Sequence, residues 1–491
     1  MDYILLFVLN AAGMILELVA SRFLSPYFGN SNFVWTAIIG IILLAGSFGN
    51  LIGGKLSSNK NSRLYAFFLL LVTAIYLAVI PLIGTDVLSS IDAMNGSVQV
   101  SSVISSILLF LFPATTMGII TPIVMKERIG HAKDKGKESG RITAIIAIGS
   151  LAGTFLGGFL LIPLLGTRMI FVMLSFVVII SSILLKPWSR HTDKKSRIII
   201  GLSLIVATIV CIVCSLNVGA TQSSEDSISI DTEYGRIIIE ESTYGGVPVR
   251  LYKQSGAYAS ATFLEKGRRF DLVFDYLKKY DKAFSYRDVK NSLMIGGAAY
   301  QYPKYYISHF PDKKLDVVEI DPMSTQIAKQ YFYLDDLINE YGSDRIGLYN
   351  EDGRVYLANN DKKYDAIFND AFSGEVPVGT LATKEAAELI KNNLVDDGVY
   401  LSNVLAAVNG DKGRFLRSEV KTLKEVFDYV YVLPMRDNSN KDDFSNWVVI
   451  ATDNDSYRPT QAFDVNNEES DILLTDDYCP IDSLVDTYYY D

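Results

Sequence analysis

The chain divides into two stretches with different hydrophobic periods. Between about residues 3 and 217, apolar runs roughly 20 residues long recur, separated by short polar loops. A run of that length crosses the hydrocarbon core of a bilayer as a helix. The pattern predicts seven spans, at roughly 3–24, 33–56, 64–85, 100–124, 141–164, 168–186 and 198–217. The first run carries Glu17 and Arg22 and has no small-residue cleavage site, so it reads as a span and not as a removable signal. Glycines recur at helical spacing at Gly46, Gly49, Gly53 and Gly54, and again at Gly149, Gly153, Gly157 and Gly158. Small residues let helix backbones approach closely in lipid, so both sets predict tight packing; a transport path is the other reading. Glu17, ionisable within a span, is expected to face the bundle interior, either as a functional group or paired with Arg22.

Past residue 218 the period shortens. Residues 218–228 are polar and Ser-rich and read as a linker. Strand-like runs follow at Ser227–Ile230, Arg236–Glu240 and Val247–Lys253, with Gly245-Gly246 as a turn, predicting a small β-hairpin region. Phe270, Val273, Phe274 and Leu277 predict a helix over 268–280. Strands and helices then alternate. Strands are expected at 292–295, Leu315–Ile320, Ile346–Tyr349, Tyr364–Phe368, Val399–Asn403 and Trp447–Ala451, with helices reaching to about Phe310 and covering about 323–333. Such alternation predicts a doubly wound, mainly parallel sheet. The domain boundaries are therefore 1–217 for the multi-span helical membrane domain, 218–285 for the linker and hairpin, and 286–491 for the α/β domain.

In a sheet of this kind ligands bind outside the carboxyl ends of the strands. Gly296 and Gly297 follow the first strand, Glu319 and Asp321 the second, Asp352 and Gly353 the third, and Asp370 the fourth. Glycines let a ligand approach the backbone, and an acid after the second strand is placed to accept hydrogen bonds from ribose hydroxyls. Together the four strand ends point to a nucleoside-type site. The segment Gly296-Gly297-Ala298-Ala299-Tyr300-Gln301 lacks a full dinucleotide fingerprint, and no P-loop lysine is present.

Charge sharpens the division. Residues 1–220 hold 16 Lys and Arg against 8 Asp and Glu, and the remainder 29 against 47. The acidic half argues against nucleic acid as partner and suits a cationic small molecule. Three cysteines and three scattered histidines provide no disulfide framework or zinc spacing, so no metal is expected. Lys and Arg cluster around Lys55–Arg63, Lys126–Arg141 and Lys186–Arg197, whereas 86–99 and 165–167 have none. The positive-inside rule then makes the chain a multi-pass cell-membrane protein with its N-terminus inside and its C-terminal domain extracytoplasmic.

The stretch from Tyr234 to Asn403 resembles the spermidine synthase (polyamine aminopropyltransferase) family. Met294-Ile295-Gly296-Gly297 matches the start of its I-G-G-G-D-G-G loop, Val318-Glu319-Ile320-Asp321 its V-E-I-D, Glu351-Asp352-Gly353 its G-D-G/A, and Asn369-Asp370 the start of its D-S-S-D. Tyr234-Gly235 and Gln254 match its hairpin domain. The membrane half is similar to the multi-span members: Glu17 to Gly29, Gly118 to Pro122, Gly149 to Gly166, and the tail from Leu474 to Pro480. The resemblance implies a Rossmann-like, methyltransferase-type domain. It also implies decarboxylated S-adenosylmethionine or S-adenosylmethionine as substrate, and a small-molecule amine or polyamine as acceptor. Glu319 would hold the ribose, Asp352 the adenine, and Asp370 the attacking amine, with Gly296, Gly297, Asp321, Gly353 and Gln254 completing the site. The lipid bilayer is a further partner, and a homo-oligomer is left open.

The departures lie at the amine end. The family's loop acid falls at Ala299, its second D-S-S-D acid at Ser373, and its diamine segment has no counterpart near Tyr258–Phe263. Two other readings therefore stand beside aminopropyl transfer. One is a different enzyme of S-adenosylmethionine; the other is a non-catalytic sensor of nucleoside or polyamine coupled to a transport-like bundle.

Overall fold

The computed structural model describes residues 1–29, 31–94, 96–185, 194–220, 223–224, 227–285, 288–373, 376–436, 439–463, 465–466 and 468–485. Most of the basic stretch from Lys186 to Arg197 and part of the 218–228 linker lie outside these residues. The chain forms two compact units. One is Met1–Glu225 with Ser229–Arg236, and the other Asp226–Ile228 with Ile237–Asp491.

The first unit is helical: α1 (Asp2–Phe28), α2 (Asn32–Leu56), α3 (Ser62–Asp92), α4 (Val98–Ser106) continuing into α5 (Phe112–His131), α6 (Lys135–Phe155), α7 (Ile162–Leu184) and α8 (Lys194–Ala220). Among the described residues seven helices are long and apolar enough to cross a membrane. Two π-helical turns, Ile107–Leu111 and Leu156–Leu161, interrupt these helices. Each lies just ahead of a proline, Pro113 or Pro163, whose missing N–H already breaks the regular ladder. The glycine rows pack helices closely. A Cβ on Gly49 of α2 would lie 2.4 Å from the Thr115 carbonyl oxygen of α5, and one on Gly153 of α6 would lie 2.3 Å from that of Ala11 in α1. At the end holding the N-terminus, Arg63 bridges Asp2 (3.2 Å) and Glu127 (2.7 Å), while Glu138 accepts from Tyr3 (2.6 Å) and Arg128 (3.1 Å). Glu17 makes no ion pair with Arg22 among the described residues. Five positions apart on a helix, the two side chains point about 140° away from each other.

Two short strands, β1 (Ser223–Ser224) and β2 (Ser227–Asp231), precede β3 (Arg236–Tyr244), β4 (Val247–Gln254) and β5 (Ala257–Phe263). β3 pairs antiparallel with β4 around Gly245-Gly246, and β4 with β5. The helix expected over 268–280 is replaced by two 3₁₀ segments, Lys266–Arg268 and Asp275–Phe284. Its apolar residues serve two cores. Val273 packs with Val249, Ala261 and Phe263 of the small sheet, whereas Leu272, Leu277 and Tyr280 pack on the large one. A single α-helical face could not satisfy both.

The large sheet holds β6 (Asn291–Ile295), β7 (Lys314–Val318), β8 (Ile346–Tyr349), β9 (Tyr364–Asn369), β12 (Leu394–Ala406), β13 (Tyr429–Pro434) and β14 (Ser445–Thr452); β10 (Phe372–Ser373) and β11 (Val376–Pro377) form a separate small pair. The order is β13-β14-β12-β9-β6-β7-β8, and β14 alone runs antiparallel to its neighbours. This is the Rossmann-like, methyltransferase-type arrangement. Helices α9 (Gln301–His309), α10 (Pro322–Tyr331), α11 (Leu334–Tyr341), α12 (Gly353–Asn359), α13 (Lys384–Asn393) and α14 (Arg414–Leu423) flank it, and α15 (Ile481–Leu484) lies near the end. Alternation along the strands feeds a core on each face. Leu293, Ile295, Tyr400 and Val404 enter one, and Met294, Val399 and Leu401 the other. Strand order reverses between β6 and β9, which opens a crevice at their carboxyl ends.

Candidate active site

The crevice is shaped first by backbone. β6 ends at Ile295, whose carbonyl accepts from the Asp370 N–H at 2.9 Å. Gly296 follows with φ +91°, and a Cβ there would lie 2.5 Å from the Asp370 carbonyl oxygen. Only glycine both adopts this conformation and permits the approach. Gly353 plays a second steric part: a Cβ would meet the Ile295 side chain at 2.5 Å. The start of α12 therefore sits directly against the end of β6.

Glu319, almost wholly buried, organises the loop after β6. Its Oε2 accepts from the Gly297 and Ala298 N–H groups at 2.8 and 2.9 Å, and Oε1 accepts from the Asp321 N–H at 3.0 Å. Burial pushes its carboxyl up, against the three N–H groups that favour the charged form. Oε1, with one donor, retains capacity for a hydroxyl. Asp321 caps α10, its Oδ1 accepting from the Met323 N–H at 2.9 Å. Asp352 caps α12 in the same way. Its Oδ1 accepts from the N–H groups of Arg354 (2.8 Å) and Val355 (3.1 Å), while Oδ2 makes no hydrogen bond among the described residues.

Gln254 ends β4. Its Oε1 accepts from the Tyr252 hydroxyl at 3.4 Å, and that hydroxyl lies 2.7 Å from Ser324 Oγ on α10. The small sheet is thereby tied to the helix that follows Glu319 and Asp321.

Asp370, half-buried beyond β9, forms the other side of the crevice. The Asn403 Nδ2 donates to Asp370 Oδ1 at 2.7 Å, and the Asn446 Nδ2 donates to Asn403 Oδ1 at 3.1 Å. Burial raises the Asp370 carboxyl above its ordinary value, partly offset by hydrogen bonds from Asn403 and Tyr280. Burial first, and the Asp370 charge second, push the hydroxyls of Tyr276 and Tyr280 up, so both stay protonated as donors. Ala299, where the resembled family has an acid, is fully buried and apolar.

Of the residues named from the strand ends, Gly296, Gly297, Glu319, Gly353 and Asp370 are thus brought together around the carboxyl end of β6. Pattern reasoning missed Asn403, Asn446, Tyr276 and Tyr280. A polar pair, Ser402-Asn403, interrupting the apolar run from Val399 to Ala406 was the available signal for Asn403. The tyrosines read only as core. Among the described residues no group of three or more His, Cys, Asp or Glu side chains could hold a metal ion.

Residues 282–437 match the family description "Spermine/spermidine synthase domain". The chain is 31% identical over 142 residues to the polyamine aminopropyltransferase of Vibrio vulnificus, covering 28% of this chain and 44% of the relative. It is 28% identical over 145 residues to that of Alkaliphilus metalliredigens, covering 30% and 50%. The chain spans about half the length of the curated relatives it matches. Among solved structures it is similar to the spermidine synthase of Thermotoga maritima. There the identity is 18%, the TM-score 0.38, and the coverage 54% of this chain and 87% of that one.

Proposed function

We propose that the chain is a membrane-embedded aminopropyltransferase that uses decarboxylated S-adenosylmethionine, or a related sulfonium nucleoside, and an amine acceptor. The matched family supports the transferase chemistry, and the seven apolar helices support the membrane location. The observation that carries the reading is the Asn446–Asn403–Asp370 hydrogen-bond chain, which fixes one carboxylate of raised affinity for protons just beyond β9, in the residue whose backbone lies against Gly296.

In this reading Glu319 takes the ribose hydroxyls through Oε1, Asp352 takes the adenine through its open Oδ2, and Gly296 and Gly297 admit the nucleoside to the backbone. Gln254 and Asp321 hold the surrounding shell through Tyr252 and α10. The substrate supplies its own activation, a carbon attached to a sulfonium. The acceptor nitrogen forms the new C–N bond with its lone pair. The C–S bond breaks, its electron pair stays on sulfur, and methylthioadenosine leaves. The proton of the resulting ammonium passes to Asp370. A carboxylate whose proton affinity burial has raised is a better base for this step than an exposed one. Tyr276 and Tyr280 keep water from its inner side, and the crevice holds the two reactants in line.

Ala299 and Ser373 favour a second reading, a domain that binds a nucleoside or polyamine without transfer. The full chain in detergent, supplied with decarboxylated S-adenosylmethionine and a panel of amines, separates the two by methylthioadenosine release. Release that falls roughly 10²–10⁴-fold in Asp370→Asn, the usual range for a general base, supports transfer. Nucleoside binding by calorimetry, with no release for any amine, supports the sensor. Turnover of S-adenosylmethionine alone assigns the site to another reaction.

A further inference from the structure

The helical unit carries a second group of charged residues, at the end opposite Arg63 and Glu127. The loops of that end at 86–99 and 165–167 hold no Lys or Arg, yet three arginines gather there: Arg22 near the end of α1, Arg168 near the start of α7, and Arg236 at the start of β3. α7 is broken at Gly166, which has φ 70° and ψ 162°, so its regular helix begins at Thr167. The Thr167 N–H donates to Asp231 Oδ2 at 2.9 Å, and Arg236 Nε donates to Asp231 Oδ1 at 2.7 Å. A Cβ on Gly166 would sit 3.0 Å from Asp231 Oδ2, so glycine is needed both for the turn and for the carboxylate's access. Arg236, the N–H of Thr167 and Arg168 hold Asp231 ionised, outweighing the effect of its burial.

Asp231 does not satisfy the cluster. Arg236 is 8% exposed, and its Nη2 is buried without a hydrogen-bond partner among the described residues; Arg168 Nε is buried in the same condition. Arg22 makes no hydrogen bond among the described residues, and of the carboxylates it lies within electrostatic reach of Glu233, which is exposed. Three guanidinium groups face two carboxylates, one of them screened by water. Buried, unpartnered guanidinium N–H groups are costly. Their chemical complement is a compact oxyanion with several acceptor oxygens, which arginine engages through more than one N–H. The helix start at Thr167 adds its dipole to the same charge preference.

We propose that Arg168 and Arg236, assisted by Arg22, bind a phosphate-type oxyanion at the break in α7. The inference is independent of the transferase reading. The phosphate belongs either to a free anion or to a lipid headgroup, and the two are separable.

The test uses the full chain in phospholipid-free dodecyl maltoside, with thermal unfolding as readout. One arm titrates inorganic phosphate against chloride at equal ionic strength. The other adds dioleoylphosphatidic acid to the micelles, with dioleoylglycerol as the phosphate-free control. Protection by inorganic phosphate identifies a free-anion site, and protection by phosphatidic acid alone a headgroup site. In either case Arg168→Gln is expected to raise the half-saturating concentration at least tenfold. If Arg168→Gln does not fold, Arg168→Lys and Arg22→Gln decide the matter, and each should weaken protection. Failure of both phosphate probes to protect the wild-type chain overturns the proposal. So does unchanged protection in the folded variants.

Discussion

The Asn403 side-chain amide donates a 2.7 Å hydrogen bond to Asp370 Oδ1 across the ends of two neighbouring parallel strands. That bond favours the charged carboxylate against the burial that raises its pKa. Replacing Asn403 with Leu removes the donor and raises the Asp370 pKa further. The acidic limb of the kcat/KM–pH profile for amine-dependent turnover should therefore move to higher pH. Nucleoside affinity should change little. A profile that stays in place would remove Asp370 from the titration that limits the rate.

Gly296→Ala puts a methyl group 2.5 Å from the Asp370 carbonyl oxygen, at a φ of +91°. Strain of this kind typically costs about 1–3 kcal/mol, and here it would also push the two sides of the crevice apart. Nucleoside binding measured by calorimetry should be lost before the fold is. Wild-type affinity in the alanine variant would show that the crevice tolerates the displacement.

Glu319 fastens the Gly297–Ala298 loop and is the proposed ribose acceptor. Glu319→Ala should weaken binding of methylthioadenosine by on the order of 1–3 kcal/mol, the scale of a lost charged hydrogen bond. Equilibrium titration of the two proteins is the check. Equal affinity would move the ribose elsewhere.

Glu419 is buried in α14. Its Oε2 makes no hydrogen bond among the described residues, and burial pushes its pKa up to about 7, against a hydrogen bond from Ser402 that lowers it. Because the folded value lies above the unfolded one, the group favours folding at low pH, and that contribution disappears as pH rises through about 7. Glu419→Gln should therefore be more stable than wild type at pH 8, by on the order of 3 kcal/mol, and unfold at a higher temperature. At pH 4.5 the gain should vanish. A gain independent of pH would mean that packing, and not ionisation, separates the two proteins.

From the alternation of basic and non-basic loops we propose that the C-terminal domain lies outside the cytoplasmic membrane. Lys424→Cys, at an exposed position and with Cys479 replaced by Ser, should react with a membrane-impermeant maleimide in intact cells. Labelling only after lysis would reverse the orientation.

How much of this was legible in the chain follows from the range of each interaction. Helix spans and buried strands depend on local runs, so all seven apolar helices and the strand Ile346–Tyr349 could be placed from composition and period. The acids at Glu319, Asp352 and Asp370 were visible because strand ends fall where apolar runs stop. The 268–280 segment was misread as a helix because its apolar residues answer to two cores, a division that no single period records. The partner of Asp370 was equally hidden: Asn403 lies 33 residues away in sequence, on a strand whose neighbour is chosen by the sheet order. Asp231 and Thr167, 64 residues apart, meet only because α7 breaks at Gly166. Sequence by itself determined which segments are apolar and where chemistry-bearing residues interrupt them, since both are properties of short stretches. Tertiary structure alone decided which of those residues face one another and which polar atoms were left buried without a partner. Those outcomes depend on the packing of elements distant in the chain.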